Sequence, residues 1–309
     1  MLDAKALSGA SVLVTGATGF LGSHLLSALI AAGLRPYALA RDPGTLPDDC
    51  KPVRGDLTDH DALRAIVQDV KPEIIFHLGA RTEPARDPSL NAVMTQVNLG
   101  ATLALAEAAS ETRCKRFITT GTAEEYGHQP APFHEGLPAQ PLSPYSASKA
   151  AGTVWLQMMH RSLGLPVVML RPFLIYGPGQ LPPKLVPSAC GSALKGADFD
   201  MTSGTQMREL TYVDDVVAGL LMAAQSEAAL GEIINLGSGT EHSLLEIVSR
   251  IYTLAGKGGQ PRPGALPDRP NDMQRYCADT SKAQSLLGWR ASTSLDDGLR
   301  ATLDWMARR

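Results

Sequence analysis

Ser11-Val12-Leu13-Val14-Thr15-Gly16-Ala17-Thr18-Gly19-Phe20-Leu21-Gly22 joins a short apolar run to a glycine-spaced turn and the first residues of a helical pattern. Residues 11–15 read as a buried strand. Residues 20–32 read as a helix with Leu21, Leu25 and Leu29 along one face. Gly16 permits the tight turn between them, Gly19 lets the backbone approach a pyrophosphate, and Gly22 allows close packing of helix on strand. An anion placed there meets the unsatisfied N–H groups and the positive dipole end of the helix. Three glycines at this spacing can serve packing alone. The strand before and the helix after are what point to a dinucleotide.

Outward from this turn the pattern repeats. Gly33 closes the first helix and residues 35–40 give the next strand. A helix over 59–69 stops at Lys71-Pro72, ahead of a strand over 74–77. A long helix over 91–110, a strand over 116–120, a helix starting near Tyr145 and a strand over 167–170 follow. Beyond Pro172 the chain turns irregular: residues 172–187 read as a loop, 233–235 as one more core strand, and Ser243-Leu244-Leu245-Glu246 as a capping box. A Pro-rich stretch over 260–270 precedes two helices, the first ended by Gly288. The expectation is an α/β, Rossmann-type, doubly wound parallel sheet with a smaller C-terminal α+β substrate lobe. Residues 1–172 would form the dinucleotide-binding domain, with 206–238 returning to it. Residues 173–205 and 239–309 would form the substrate-binding lobe.

Composition narrows the ligand. A net charge of -3 over 309 residues, with 44% hydrophobic and 19% charged residues, offers no basic excess for a nucleic acid or a membrane surface. No apolar window reaches membrane-spanning length and no signal peptide is evident, which predicts a cytoplasmic protein. The four cysteines, Cys50, Cys114, Cys190 and Cys277, show neither paired nor metal-ligand spacing and read as reduced thiols, with no metal site expected. A small molecule remains.

The end of the second strand distinguishes the two nicotinamide dinucleotides. NAD calls for a carboxylate there to bind the ribose hydroxyls, and a 2′-phosphate calls for a cation. Ala40 occupies the expected acid position, Arg41 follows, and Asp42 comes one place late. This favours NADP, with NAD the alternative. Asp56, in Gly55-Asp56-Leu57, falls either at the adenine edge or in a turn that starts a helix.

Tyr145-Ser146-Ala147-Ser148-Lys149 places a phenol and an ammonium at i and i+4, on one helix face. A cation beside the phenol would lower its pKa, as a general acid/base at neutral pH requires. Just after the preceding strand, Thr122 could hydrogen-bond a substrate oxygen and Glu124 could act as a second acid/base.

Taken with HLGA (His77 to Ala80), QVNLGAT, TGTAEEYG, SPYSASKA, RPFLIYGPG, RELTYVDD and ADTSKAQSLLGW, the chain resembles the extended short-chain dehydrogenase/reductases of the NAD-dependent epimerase/dehydratase group over nearly its whole length. The resemblance implies Thr122, Tyr145 and Lys149 as a catalytic triad. It implies cofactor contacts from Gly16, Thr18, Gly19, Phe20, Leu21, Gly22, Asp56, Leu57, Leu78, Gly79, Ala80, Asn98, Thr120 and Pro172. Arg208 and Arg269 match the arginines that hold the sugar nucleotide. The EEYG ending looks most like reductases of GDP-4-keto-6-deoxymannose. Glu124 is shared with GDP-mannose dehydratases, whereas Ala123 replaces the Asp of the dTDP-glucose dehydratases. Leu174 stands where the family reads an Asn that contacts the sugar diphosphate. Related enzymes dimerise through a four-helix bundle made from the helix of Tyr145 and the one over 91–110. Ala101, Ala104 and Ala108 would allow such close packing.

The leading expectation is NAD(P)H-dependent reduction of a 4-keto sugar nucleotide by a homodimer. A 4-epimerase with tightly bound NAD comes next, then a dehydratase, then a non-catalytic NADP-binding regulator. His24 and His77 read as packing residues. Trp155, Met158 and Met159 read as core or a dimer face.

Overall fold

A computed structural model describes residues 4–112, 114–268 and 272–309. Strand β1 (Val12–Thr15) enters the glycine turn and leaves it as helix α1 (Phe20–Ala31). Gly33 ends that helix with its N–H on the Ile30 carbonyl while Leu34 N–H reaches Leu29, a glycine-stopped terminus. Then come β2 (Tyr37–Ala40), β3 (Lys51–Arg54), α2 (His60–Val70), capped by Asp59, and β4 (Ile74–His77).

The helix expected over 91–110 has three parts. Regular turns of α3 (Asn91–Met94) and α4 (Ala101–Glu111) flank a π-helical stretch, Thr95–Gly100. No proline interrupts this stretch and the chain stays helical throughout, so the sequence reads as one continuous helix.

Strand β5 (Arg116–Thr120) leads through a short 3₁₀ turn, Ala123–Tyr126, to α5 (Pro144–Leu163). Ser143 caps α5: its Oγ accepts the Ser146 N–H at 3.1 Å, and Pro144 takes the first position, where no N–H is needed. Then follow β6 (Val167–Pro172), β7 (Leu174–Tyr176), α6 (Leu185–Leu194), the two-residue β8 (Phe199–Asp200), β9 (Met207–Tyr212) and α7 (Val213–Ala223). The chain finishes with β10 (Ile233–Leu236), β11 (Glu241–Ser243), α8 (Leu244–Ala255), β12 (Pro261–Arg262), α9 (Ser281–Leu287) and α10 (Leu295–Ala307).

Among the described residues, seven strands form one parallel sheet in the order β10-β6-β5-β4-β1-β2-β3. The order reverses between β1 and β4, which pair in register from Val12 with Ile74 to Thr15 with His77. Every residue of both strands is buried. Leu25, Leu26 and Leu29 of α1 and Val216, Val217 and Leu220 of α7 cover one face. Leu63 and Val67 of α2, Leu105 of α4 and Leu156 of α5 cover the other. Burying apolar area on both faces stabilises the sheet by about 25 cal/mol per Å².

A mixed sheet, β11-β9-β7, carries the smaller lobe, whose own core joins α6, α8 and α10 through Val186, Ile247, Ile251, Leu299 and Leu303. The stretch 172–187 is therefore not all loop. β7 lies within it, because Leu174-Ile175-Tyr176 pair with Leu210-Thr211-Tyr212 across the flanking prolines and glycines.

Two further expectations change. Ala101, Ala104 and Ala108 are buried inside the chain itself, where small side chains let α4 approach its own neighbours. They are not an outer face. Ser243 caps α8 as expected, but the Glu246 carboxylate turns outward to Arg250 and His242 instead of closing the box. Met159 is core, while Trp155 is 48% exposed beside Val154 on the outer side of α5. Among the described residues no helix is long and apolar enough to cross a membrane, and no cluster of His, Cys, Asp or Glu is placed to hold a metal ion.

Candidate active site

The reversal between β1 and β4 opens a crevice at the carboxyl ends of the strands, where open α/β sheets bind ligands. Backbone lines it. Gly16 has φ +69°, and a Cβ there would lie 2.6 Å from the Gly79 nitrogen. A Cβ on Gly22 would lie 2.0 Å from the Gly16 carbonyl oxygen, so Gly22 fixes the turn rather than meeting a ligand. Thr18 and Gly19 are exposed at the mouth, flanked by the partly open Phe20 and Leu21. No described side chain caps α1, and its first turn holds no acid. An uncapped helix terminus beside a glycine-lined crevice fits a pyrophosphate.

The walls are built by hydrogen bonds. Thr15 Oγ1 accepts the Gly79 N–H at 3.2 Å and donates to His77 Nδ1 at 2.8 Å, and His77 Nε2–H donates to Thr102 Oγ1 at 2.9 Å. Full burial holds His77 neutral, with its pKa down to about 3. Asn98, in the π-helical stretch, accepts the Arg81 N–H and donates to the Arg81 carbonyl and to Ser148 Oγ. Its amide is engaged by the protein and anchors the segment of Leu78, Gly79 and Ala80 to α5.

At the far rim, Ala40 is buried and Arg41 is exposed. Asp42 spends an oxygen on the Gly44 N–H. Asp56 accepts from both the N–H and the hydroxyl of Thr58, which holds its pKa low with help from Arg41. That is the turn reading of Asp56, on a residue that also lines the rim next to Leu57.

Over the other half of the crevice stand the acid/base candidates. Thr122 and Lys149 are 7% and 6% exposed, and Tyr145 is half-buried. The Tyr145 phenol lies close enough to Thr122 for that side chain to favour its anion. Lys149 Nζ donates to the Thr120 carbonyl at 2.6 Å. Burial lowers Lys149 to about 8, opposed by Glu125. The phenol does not follow the expectation of a depressed pKa. Burial, then the Glu124 carboxylate, pushes it up, and Lys149 has its proton directed at a carbonyl instead. Tyr145 thus keeps its proton in this state. Glu124 is half-buried, and desolvation raises its carboxyl against the pull of Lys184 and Arg86.

Arg208 lies on β9, 8% exposed, with Nη2 on Asp272 at 2.9 Å and Nη1 on the Met207 carbonyl. Its guanidinium stands 6.0 Å from the Tyr276 ring, and the Tyr276 phenol is close enough to Glu124 and Tyr145 to feel both. Arg208 therefore belongs to the same pocket. Arg269 lies outside the described residues. Pro172 ends β6, and the Leu174 after it is 36% exposed at the start of β7.

The sequence reading missed Glu125, Arg171, Thr153 and Tyr276. A charge inside the apolar run Val167-Val168-Met169-Leu170-Arg171 was a usable signal for Arg171, since a buried cation needs a partner. Tyr276 carried none.

A phenol, a hydroxyl and an ammonium facing a switch-point crevice define a dinucleotide-dependent enzyme of the short-chain dehydrogenase/reductase type. The family model described as "NAD dependent epimerase/dehydratase family" matches residues 12–237, and the chain belongs to that family. It is 33% identical to a UDP-glucose 4-epimerase of Mycolicibacterium smegmatis over 96% of this chain and 98% of that protein. It is 30% identical to a dTDP-glucose 4,6-dehydratase of Xanthomonas campestris over 96% and 93%. It spans about half (47%) of a trifunctional Arabidopsis thaliana enzyme whose activities include UDP-glucose 4,6-dehydratase, at 29% identity over 96% of this chain. Among solved structures, the UDP-glucose 4-epimerase of Thermotoga maritima with UDP-glucose superposes with a TM-score of 0.90 at 27% identity, covering 96% of this chain and 99% of that one. The UDP-glucuronic acid 4-epimerase of Bacillus cereus, in complex with UDP-glucuronic acid and NAD, gives 0.87 at 29% over the same shares. These relatives are named as epimerases and dehydratases, the trifunctional enzyme also as a UDP-4-keto-L-rhamnose reductase, and none as a GDP-4-keto-6-deoxymannose reductase. The finer resemblance to GDP-4-keto-6-deoxymannose reductases gains no support from them.

Proposed function

We propose that this protein is a nucleotide-diphosphate-sugar 4-epimerase, working by reversible oxidation and reduction at C4. The observation that carries the reading is the Tyr145 phenol, set beside Thr122 with Lys149 one turn further along the same helix, in a chain whose relatives include enzymes named as 4-epimerases. A bound nicotinamide dinucleotide would supply reversible hydride exchange with C4. The chain's own residues handle the proton. As the phenolate, which the positive charge of an oxidised nicotinamide bound beside it would favour over the neutral form seen without it, Tyr145 would take that proton from the C4 hydroxyl during oxidation and return it to the C4 oxygen during reduction. Thr122 shares the hydrogen bond to that oxygen, and a donor aimed at charge that develops only in the transition state raises the rate. Lys149 supports Tyr145 from the next turn of α5, and Arg208 contributes a guanidinium suited to the substrate's phosphate or ribose.

For the dinucleotide we favour NADP, because Arg41 stands at the rim where a 2′-phosphate would lie and Ala40 offers no carboxylate for ribose hydroxyls. Glu124 supports a second reading, 4,6-dehydration: a desolvated carboxyl beside Tyr145 can move a second proton. Ala123 weighs against it by providing no partner acid.

The test is proton NMR of UDP-, dTDP- and GDP-linked hexoses incubated with the enzyme. Appearance of the C4 epimer supports the proposal, and a 4-keto-6-deoxy product selects the second reading. Tyr145→Phe should slow turnover by about 10²- to 10⁴-fold, and a variant with full activity removes Tyr145 from the chemistry.

A further inference from the structure

We propose that Glu125 is a positioning residue for the catalytic group, clamping the turn that carries Thr122, the helix that carries Tyr145 and Lys149, and strand β6 into one rigid unit. The proposal rests on the reading of Tyr145 and Lys149 as the acid/base machinery. Glu125 is fully buried. Its Oε1 accepts the Thr122 N–H at 2.8 Å. Its Oε2 accepts from Arg171 Nη2 at 2.7 Å, from Arg171 Nε at 3.1 Å, and from Thr153 Oγ1 at 3.1 Å. Thr153 lies one turn beyond Lys149 on the same helix.

Capping the short turn after β5 would need Oε1 alone. The second oxygen reaches two other elements, and those elements hold the catalytic lysine and the floor beneath it. The surroundings are shaped for it: a Cβ on Gly121 would fall 2.3 Å from Oε1, and Arg171 stacks on the Tyr126 ring at 4.6 Å. A buried carboxylate held by a guanidinium fork and two further donors has a fixed geometry.

The charge matters as well as the shape. Glu125 from the turn and His77 from β4 are the titratable groups within electrostatic reach of Lys149, Tyr145 stands one turn before it on the same helix, and Arg171 of β6 is bonded to Glu125. His77 is neutral, and Glu125 is the group that offsets the desolvation of Lys149. Removing that negative charge should make the lysine lose its proton more readily.

The test titrates Lys149 directly, by mass-spectrometric measurement of its carbamylation by cyanate across pH, in the wild type, Glu125→Gln and Glu125→Asp. This readout needs no turnover. Glu125→Gln should move the Lys149 midpoint down by about one unit or more, and Glu125→Asp should hold it near the wild-type value. In parallel, kcat should fall about 10- to 100-fold in Glu125→Gln, its alkaline limb moving with the lysine, while KM and the NADPH dissociation constant stay within about threefold. A folded Glu125→Gln with unchanged midpoint and unchanged kcat overturns the proposal. If that variant does not fold, Thr153→Val decides. Lower kcat at constant KM supports the clamp, and unchanged kcat overturns it. Failure of the underlying reading looks different, because Tyr145→Phe would then stay active whatever happens at Glu125.

Discussion

His24 Nδ1 lies 2.7 Å from Asp214 Oδ1, while its Nε2 lies 2.8 Å from the Pro178 carbonyl. Both partners only accept, so the ring meets both as an imidazolium. The contact ties α1, which opens the cofactor crevice, to α7 and to the loop after β7. What reads in the sequence as a packing histidine is a charged staple. Burial opposes the charge, but the hydrogen bonds to Asp214 and Pro178 outweigh it and raise the pKa above 6.5.

A raised histidine pKa makes its contribution complete below the unfolded value near 6.5 and removes it as pH rises through the folded value. The prediction is a melting-temperature difference between wild type and His24→Gln that is largest in mildly acid buffer and shrinks at alkaline pH. With Asp214 half exposed, the effect should be about 1 kcal/mol. A difference that is flat with pH would mean the staple is not charged.

The motif glycines should separate by role. Gly22→Ala drives a Cβ to 2.0 Å from the Gly16 oxygen, whereas a Cβ on Gly19 meets the same oxygen only at 3.1 Å, and Gly19 is open to the crevice. Gly22→Ala should therefore destabilise the free protein by about 1–3 kcal/mol. Gly19→Ala should weaken dinucleotide binding with little change in melting temperature. Equal loss of stability in both would contradict the assignment of Gly19 to the ligand.

Six strands of the parallel sheet were readable because their signals are local: apolar runs, Gly33 and Lys71-Pro72 as stops, and helical spacing between them; the edge strand β3, Lys51-Pro52-Val53-Arg54, is mostly exposed and carries no apolar run. The small sheet was not, since β7 and β9 are strands only through pairing with each other, and Pro172 and Gly177 mask the first. Thr122, Tyr145 and Lys149 stood out as motifs. Glu125 did not, although it sits in the same quoted segment, because nothing local separates it from Glu124. Only the fold shows that one carboxylate turns to the pocket and its neighbour to Arg171.

The proposed preference for NADP rests on Arg41. Arg41→Ala should weaken NADPH binding about tenfold or more, the range for a charge-assisted contact, and leave NADH within about twofold. Fluorescence titration with both nucleotides measures this. Equal losses for the two, or tighter NADH binding by the wild type, would place the 2′-phosphate elsewhere or rule it out.

The most direct test of epimerisation at C4 is to start from each member of a glucose/galactose nucleotide pair and follow the approach to equilibrium. The prediction is that one nucleotide series converges to the same ratio from both sides, with no net change in the reduced dinucleotide and with turnover lost in Tyr145→Phe. Stoichiometric consumption of NADPH by a 4-keto sugar nucleotide, with no interconversion of any pair, would contradict it and restore the reductase reading.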